Sequence, residues 1–170
     1  MKTKAPPVRR QFANAWDEIN YLRDKVLFWL YQREKPEKAL PFAKRLQQLL
    51  GRADAKQEAI LGQECRSLAF ETVGNLAKAI EHRQKEIDLI RRLQEISHGT
   101  PSEHYALKGY EPSDLSDRLD LLAVLYRDHG ELEKAIATLR ESRTLCEEHG
   151  IEFDGADLLS DYLIELRAMG

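Results

Sequence analysis

An all-α fold is predicted by three features of this 170-residue sequence. Apolar residues recur at three- and four-residue spacing along most of its length, the period of a helix with one buried stripe. The composition is 42% hydrophobic and 32% charged, with only 9 Gly and 6 Pro, which suits helices whose outer faces are covered in charge. Most of the few glycines and prolines stand outside the stripes, where a chain must turn; Pro41 sits four residues into a helix, where it is still tolerated. Residues 119–142 show the pattern best: Leu119, Leu122, Ala123 and Tyr126, a break at Gly130, then Ala135, Leu139 and Ser142. Two amphipathic helices joined at a glycine, with small residues where they touch, account for that spacing.

Taken in order, residues 1–13 hold Pro6, Pro7 and four basic side chains with little apolar content, and read as a flexible basic tail. The remainder, 14–170, reads as one domain. Helix one spans about Trp16–Arg33, with Ile19, Leu22, Val26, Trp29 and Leu30 on one stripe. Pro36 suits the first turn of helix two, about Glu37–Leu50, and Gly51 its end. Asp54 and Gln57 have the spacing of a capping box for helix three, about Ala55–Val73. Gly74-Asn75 turns the chain into helix four, which runs to about Ser97. A polar insertion at about 98–114 follows, carrying Tyr105, Leu107 and Tyr110. Glu111-Pro112-Ser113-Asp114 reads as its closing turn and a helix-start signal. Helix five covers about Leu115–Asp128 and helix six about Leu132–His149, with Gly130 between them and Gly150 as the stop. Asp154 is placed to cap a last helix at about 156–168, whose apolar face is Leu158, Leu159, Tyr162, Leu163 and Leu166.

Several function classes lose support on composition alone. The net charge of -3 argues against nucleic acid as partner. No apolar run approaches the ~20 residues that cross a bilayer. The start is basic but lacks the apolar core of a secretory signal. Cys65 and Cys146 are far apart in sequence, which fits reduced thiols buried in a cytoplasmic protein. The five histidines (His82, His98, His104, His129 and His149) show no metal-binding spacing. His98 and His104 flank Ser102 and Glu103, a polar loop composition rather than a catalytic set. No glycine-rich phosphate loop is present. The expectation is therefore no catalysis, no metal and no cofactor.

The second helix of each predicted pair opens on a shared phrase: Glu37-Lys38-Ala39-Leu40, Ala77-Lys78-Ala79-Ile80 and Glu133-Lys134-Ala135-Ile136. Together with the 119–142 pattern, this resembles the tetratricopeptide repeat family, in which units of about 34 residues each form a helix pair. Ala39, Ala79 and Ala135 are 40 and 56 residues apart, so the resemblance requires a long helix four and the insertion. The third unit keeps the pattern. The second departs at Gln63, Arg66 and Arg83, where apolar residues are usual, and the first has Glu34 in place of the turn glycine.

The resemblance implies a right-handed α-solenoid of three antiparallel helix pairs with a capping helix, because a terminal repeat otherwise exposes its apolar edge. It also implies a concave groove lined by the first helix of each pair. The family's groove positions fall on Tyr21, Asp24, Phe28, Tyr31 and Gln32 in the first unit. In the second they are Leu61, Glu64, Leu68 and Glu71, and in the third Asp117, Asp120, Val124, Arg127 and Asp128. An apolar floor with an acidic wall suits a peptide or helical segment of another protein that carries apolar and basic anchors. The alternative is a structural subunit that self-associates through Phe28, Tyr31, Leu61 and Leu68.

Overall fold

A computed structural model describes residues 11–51, 59–96 and 110–170. Among these residues the chain forms seven α-helices and no strand. They are α1 (Ala15–Leu27), α2 (Pro36–Leu50), α3 (Ala59–Thr72), α4 (Leu76–Ile96), α5 (Pro112–Asp128), α6 (Leu132–His149) and α7 (Ala156–Met169). A π-helical turn, Phe28–Gln32, prolongs α1. Each helix packs on the next in sequence, and α1 also packs on α3. Residues 1–10, the Asp54–Gln57 box and most of the 98–114 insertion lie outside the described residues.

Local chemistry sets the helix ends. The Asn14 side chain caps α1 by accepting from the Asp17 N–H at 3.0 Å. Pro36 and Pro112 each stand at a helix start, where a missing N–H costs nothing. At α5 the Glu111 N–H donates to Asp114 Oδ2 at 2.8 Å, and the Glu111 side chain accepts in return from the Asp114 N–H. That box starts α5 at Pro112, three residues before the expected Leu115. Asp154 does not cap α7. The residue before α7 is Gly155, with no side-chain cap, and it is tightly enclosed: a Cβ there would stand 2.7 Å from the Phe153 ring.

The turns inside the three expected pairs share one register. Glu34, Gly74 and Gly130 each stand five residues before Ala39, Ala79 and Ala135, and all have positive φ, at 50°, 81° and 87°. Each alanine N–H donates to the carbonyl four residues back, at 3.4, 3.0 and 3.0 Å, and each alanine is fully buried. After the glycine turns, Asn75 and Glu131 donate to carbonyls five residues back, Phe70 at 2.9 Å and Tyr126 at 2.8 Å. Lys35 instead reaches six residues back, to Trp29 at 2.7 Å. The additional residue is taken up in the π turn. Glu34 thus holds a left-handed conformation that costs a residue with a Cβ about 1–2 kcal/mol.

Two apolar clusters form the core. The first joins α1, α2 and α3 through residues such as Ile19, Val26, Leu46, Leu61 and Leu68. The second joins α4 to α7 through Ile87, Ile90, Leu119, Leu125, Leu139, Leu159 and Tyr162. Leu159 and Tyr162 show which stripe α7 turns inward. Where α3 meets α4, at the boundary of the two clusters, the core is charged rather than apolar. Arg83 and Glu86 of α4 are 1% and 0% exposed.

Candidate functional site

Helical periodicity places the charged side chains. Arg83 and Glu86 are three residues apart and share one face of α4, and Glu64 and Glu71, seven apart, share one stripe of α3. Arg83 Nη1 donates to Glu86 Oε2 at 2.5 Å, and Arg118 Nε of α5 donates to Glu86 Oε1 at 3.0 Å. Glu64 lies 3.7 Å from Arg23 Nη1 of α1. Glu71 Oε2 accepts from the Tyr31 hydroxyl at 2.6 Å, and Tyr31 is reached through the π turn. One row of charge thus crosses four helices.

Burial dominates the electrostatics of this row. Desolvation pushes the Glu64 carboxyl up and Glu86 adds to it, against Arg23, Arg118 and Arg83. Desolvation also pushes Glu71 up; the Tyr31 hydrogen bond and Arg83 hold it back, and Asp128 of α5 pushes it further. The Tyr31 phenol is held well above its usual value by desolvation and by Glu71. For Arg83, burial works toward deprotonation, but Glu86, Tyr31, Glu64 and Glu71 outweigh it and keep the guanidinium charged. Its Nε has no hydrogen-bond partner among the described residues.

Contacts between non-consecutive helices sort by position in the chain. Arg23–Glu64 and Tyr31–Glu71 join α1 to α3, and Arg127 Nε meets Glu165 Oε2 of α7 at 3.3 Å. Between them, Asp128 of α5 is close enough to raise the Glu71 carboxyl. Arg91 of α4 pairs with Glu141 of α6. These side-chain contacts join α1 to α3, α5 to α7 and α4 to α6.

The residues expected to line a groove divide in two. Tyr31, Asp24, Asp117, Arg127 and Asp128 are exposed, and Tyr21, Phe28, Glu64, Glu71, Asp120 and Val124 are half-buried. Gln32 is exposed. Leu61 and Leu68 are a correction: at 7% and 1% exposure they belong to the first apolar cluster. The stripe of α3 that faces α1 and α2 claims both leucines, which leaves Glu64 and Glu71 at its polar edge. Asp120 faces the α6–α7 connection, where its Oδ1 would stand 3.0 Å from a Cβ on Gly155. Desolvation, with Asp117 and Asp154 adding to it against a hydrogen bond from Ser142, pushes its carboxyl up to about 6.

The charged centre itself (Arg83, Glu86, Arg118 and Arg23) is not among the expected groove residues. Its signal is present in the sequence, because Arg83 interrupts an apolar stripe between Ile80 and Ile87. All three departures of the second unit have a structural partner. His82 Nδ1 lies 2.7 Å from Gln63 Oε1, Arg66 Nη2 donates to the Leu50 carbonyl at 3.4 Å, and Arg83 serves Glu86.

Other chemistry is local. His129 lies 3.1 Å from Glu131, and His149 Nδ1 lies 3.0 Å from the Leu145 carbonyl oxygen. His98, Ser102, Glu103 and His104 lie outside the described residues, as do Tyr105 and Leu107. Cys65 and Cys146 are free, buried thiols; desolvation and Glu64 push Cys65 up to about 12, which leaves it inert at neutral pH. Among the described residues no group of three or more His, Cys, Asp or Glu side chains is arranged to hold a metal ion. No described helix is long and apolar enough to cross a membrane. A cleft of about 360 Å³ between α4, α5 and α6 is floored by Leu115, Leu119 and Leu145, with the Arg91–Glu141 pair at its rim.

Comparison of the chain with protein-family models, with curated proteins and with solved structures gives no significant match in any of the three.

Proposed function

We propose that this chain is a non-catalytic interaction module. In this reading it is a stack of three tetratricopeptide-like helix pairs with α7 as end cap, and it holds a peptide or helical segment of another protein against its odd-numbered helices. The observation that carries the reading is the pairing of alternate helices by side-chain contacts, α1 with α3, α5 with α7 and α4 with α6, which in this reading fall on opposite sides of the stack. The placement of Glu34, Gly74 and Gly130, each at positive φ five residues before a buried alanine, supports it, with one extra residue taken up in the π turn of the first unit. On that face Tyr31, Phe28 and Val124 offer apolar contact, and Glu64, Glu71, Asp117 and Asp128 supply an acidic wall. A partner segment with apolar and basic residues complements such a surface.

The competing reading, a self-associating subunit, relies on an apolar floor of Phe28, Tyr31, Leu61 and Leu68. With both leucines in the core, only the two aromatics remain for it. Selection of displayed random peptides on the full chain tests the proposal, with wild type compared against the folded variant Tyr31→Ala/Arg127→Glu. Peptides retained by wild type and lost by the variant are the expected result. Peptides held equally by both would remove the odd-helix face from the account. Sedimentation mass that rises with concentration and is abolished by Phe28→Asp would move the function to self-assembly.

A further inference from the structure

The three half-buried and buried carboxylates of the charged row are not equally served. Glu86 has two guanidinium partners, Arg83 at 2.5 Å and Arg118 at 3.0 Å, and Glu64 has Arg23 at 3.7 Å. Glu71 has none: its direct partner is the neutral Tyr31 hydroxyl at 2.6 Å, and among the described residues no lysine or arginine lies within ion-pair distance of it. Arg83, which acts on it electrostatically, is fully buried and paired with Glu86. Asp128 of α5 adds a second negative charge on the same side.

A desolvated carboxylate without a counter-ion is costly to fold around, and either a proton or a cation from outside relieves that cost. Tyr31 beside it is 38% exposed. Elsewhere in the first unit aromatic rings already receive cations, with Lys38 Nζ 4.9 Å from the Trp29 ring and Arg33 5.3 Å from that of Phe28. The π turn is what swings Tyr31 to Glu71, one residue out of the register kept by the other two units. We infer that Tyr31 and Glu71 form the subsite for one lysine or arginine side chain of the bound segment, its charge on Glu71 and its stem against the Tyr31 ring. This rests on the binding face proposed above.

The test uses synthetic versions of the selected peptides, each made with its lysine or arginine intact or replaced by norleucine or citrulline. Affinity for the full chain is read by fluorescence anisotropy in wild type, Glu71→Gln and, as control on the even-helix side, Glu141→Gln. Loss of the peptide's charge is expected to weaken wild type and Glu141→Gln by about tenfold, and Glu71→Gln by much less. Equal weakening in wild type and Glu71→Gln overturns the subsite while leaving the binding face intact. Absence of any peptide that depends on Tyr31 and Arg127 overturns the face itself, and the subsite with it. Carbodiimide coupling of the peptide lysine to the wild-type chain gives a reading free of any folding effect. A cross-link at Glu71 supports the assignment, and cross-links at other carboxylates only contradict it.

Discussion

Replacing Glu86 with glutamine removes the one carboxylate that serves both Arg83 and Arg118. Arg83 is 1% exposed, so water does not take over from the lost anion. Arg118 is better placed, with an 18% exposed side chain and the Asp114 carbonyl at 3.2 Å, and most of the loss therefore falls on Arg83. Stranding one partner of a buried ion pair costs about 3–5 kcal/mol, a large part of a typical stability of about 5–15 kcal/mol. At about 2–4 °C per kcal/mol for a chain of this size, the melting temperature falls by about 6–20 °C. Thermal and urea unfolding followed by circular dichroism measure it. The apolar pair Arg83→Met/Glu86→Leu has similar volume and leaves only Arg118 without its anion, where partial exposure and the Asp114 carbonyl soften the loss, so it recovers most of the lost melting temperature. A loss below about 1 kcal/mol in Glu86→Gln, the value of an exposed pair, would refute the argument. So would a double variant less stable than the single one.

Three further outcomes follow from particular residues. Glu34→Gly relieves the left-handed strain and is expected to stabilise by up to about 1 kcal/mol, whereas Gly74→Ala and Gly130→Ala each lose about 1 kcal/mol; urea midpoints compare them. A methyl added at Gly74 or Gly130 would meet open space, so the loss there is conformational alone. Gly155→Ala drives a methyl into the Phe153 ring and is expected to cost about 1–3 kcal/mol, with faster hydrogen exchange in α7 as the readout. The Asp120 carboxyl, raised from 3.8 to about 6, favours the folded state when protonated. Its contribution is fully present below about 3.8 and is lost as the pH rises through about 6, so Asp120→Asn flattens the stability profile across that window and stabilises the fold at pH 7.

Helix positions are the most legible part of the sequence, because strong apolar stripes and Gly or Pro breaks bound each one. The buried alanines at 39, 79 and 135 are readable for the same reason: a repeated small residue beside a turn marks a close helix approach. The π turn is not readable, since Phe28–Gln32 continues the apolar period of α1, and the extra residue shows only in the backbone bonds from Arg33 to Phe28 and from Lys35 to Trp29. Asp154 misleads because local capping preference does not include the Phe153 ring that closes over Gly155. In the candidate site, exposed acids such as Asp117 and Asp128 follow from helix phase. Leu61 and Leu68 do not, because a small shift in phase separates a groove position from a core one. The Arg83–Glu86 pair is visible as a departure, but its meaning depends on Arg118 and Glu64 arriving from other helices.

Backbone amide chemical-shift mapping of the full chain with a selected peptide tests the binding face most directly. Perturbed amides confined to 21–32, 61–72 and 117–128, with Arg91, Glu141 and Glu148 unmoved, are the result predicted for a segment held by the odd-numbered helices. Perturbations concentrated on α4 and α6, or shifts that appear on concentrating the chain without peptide, would contradict it.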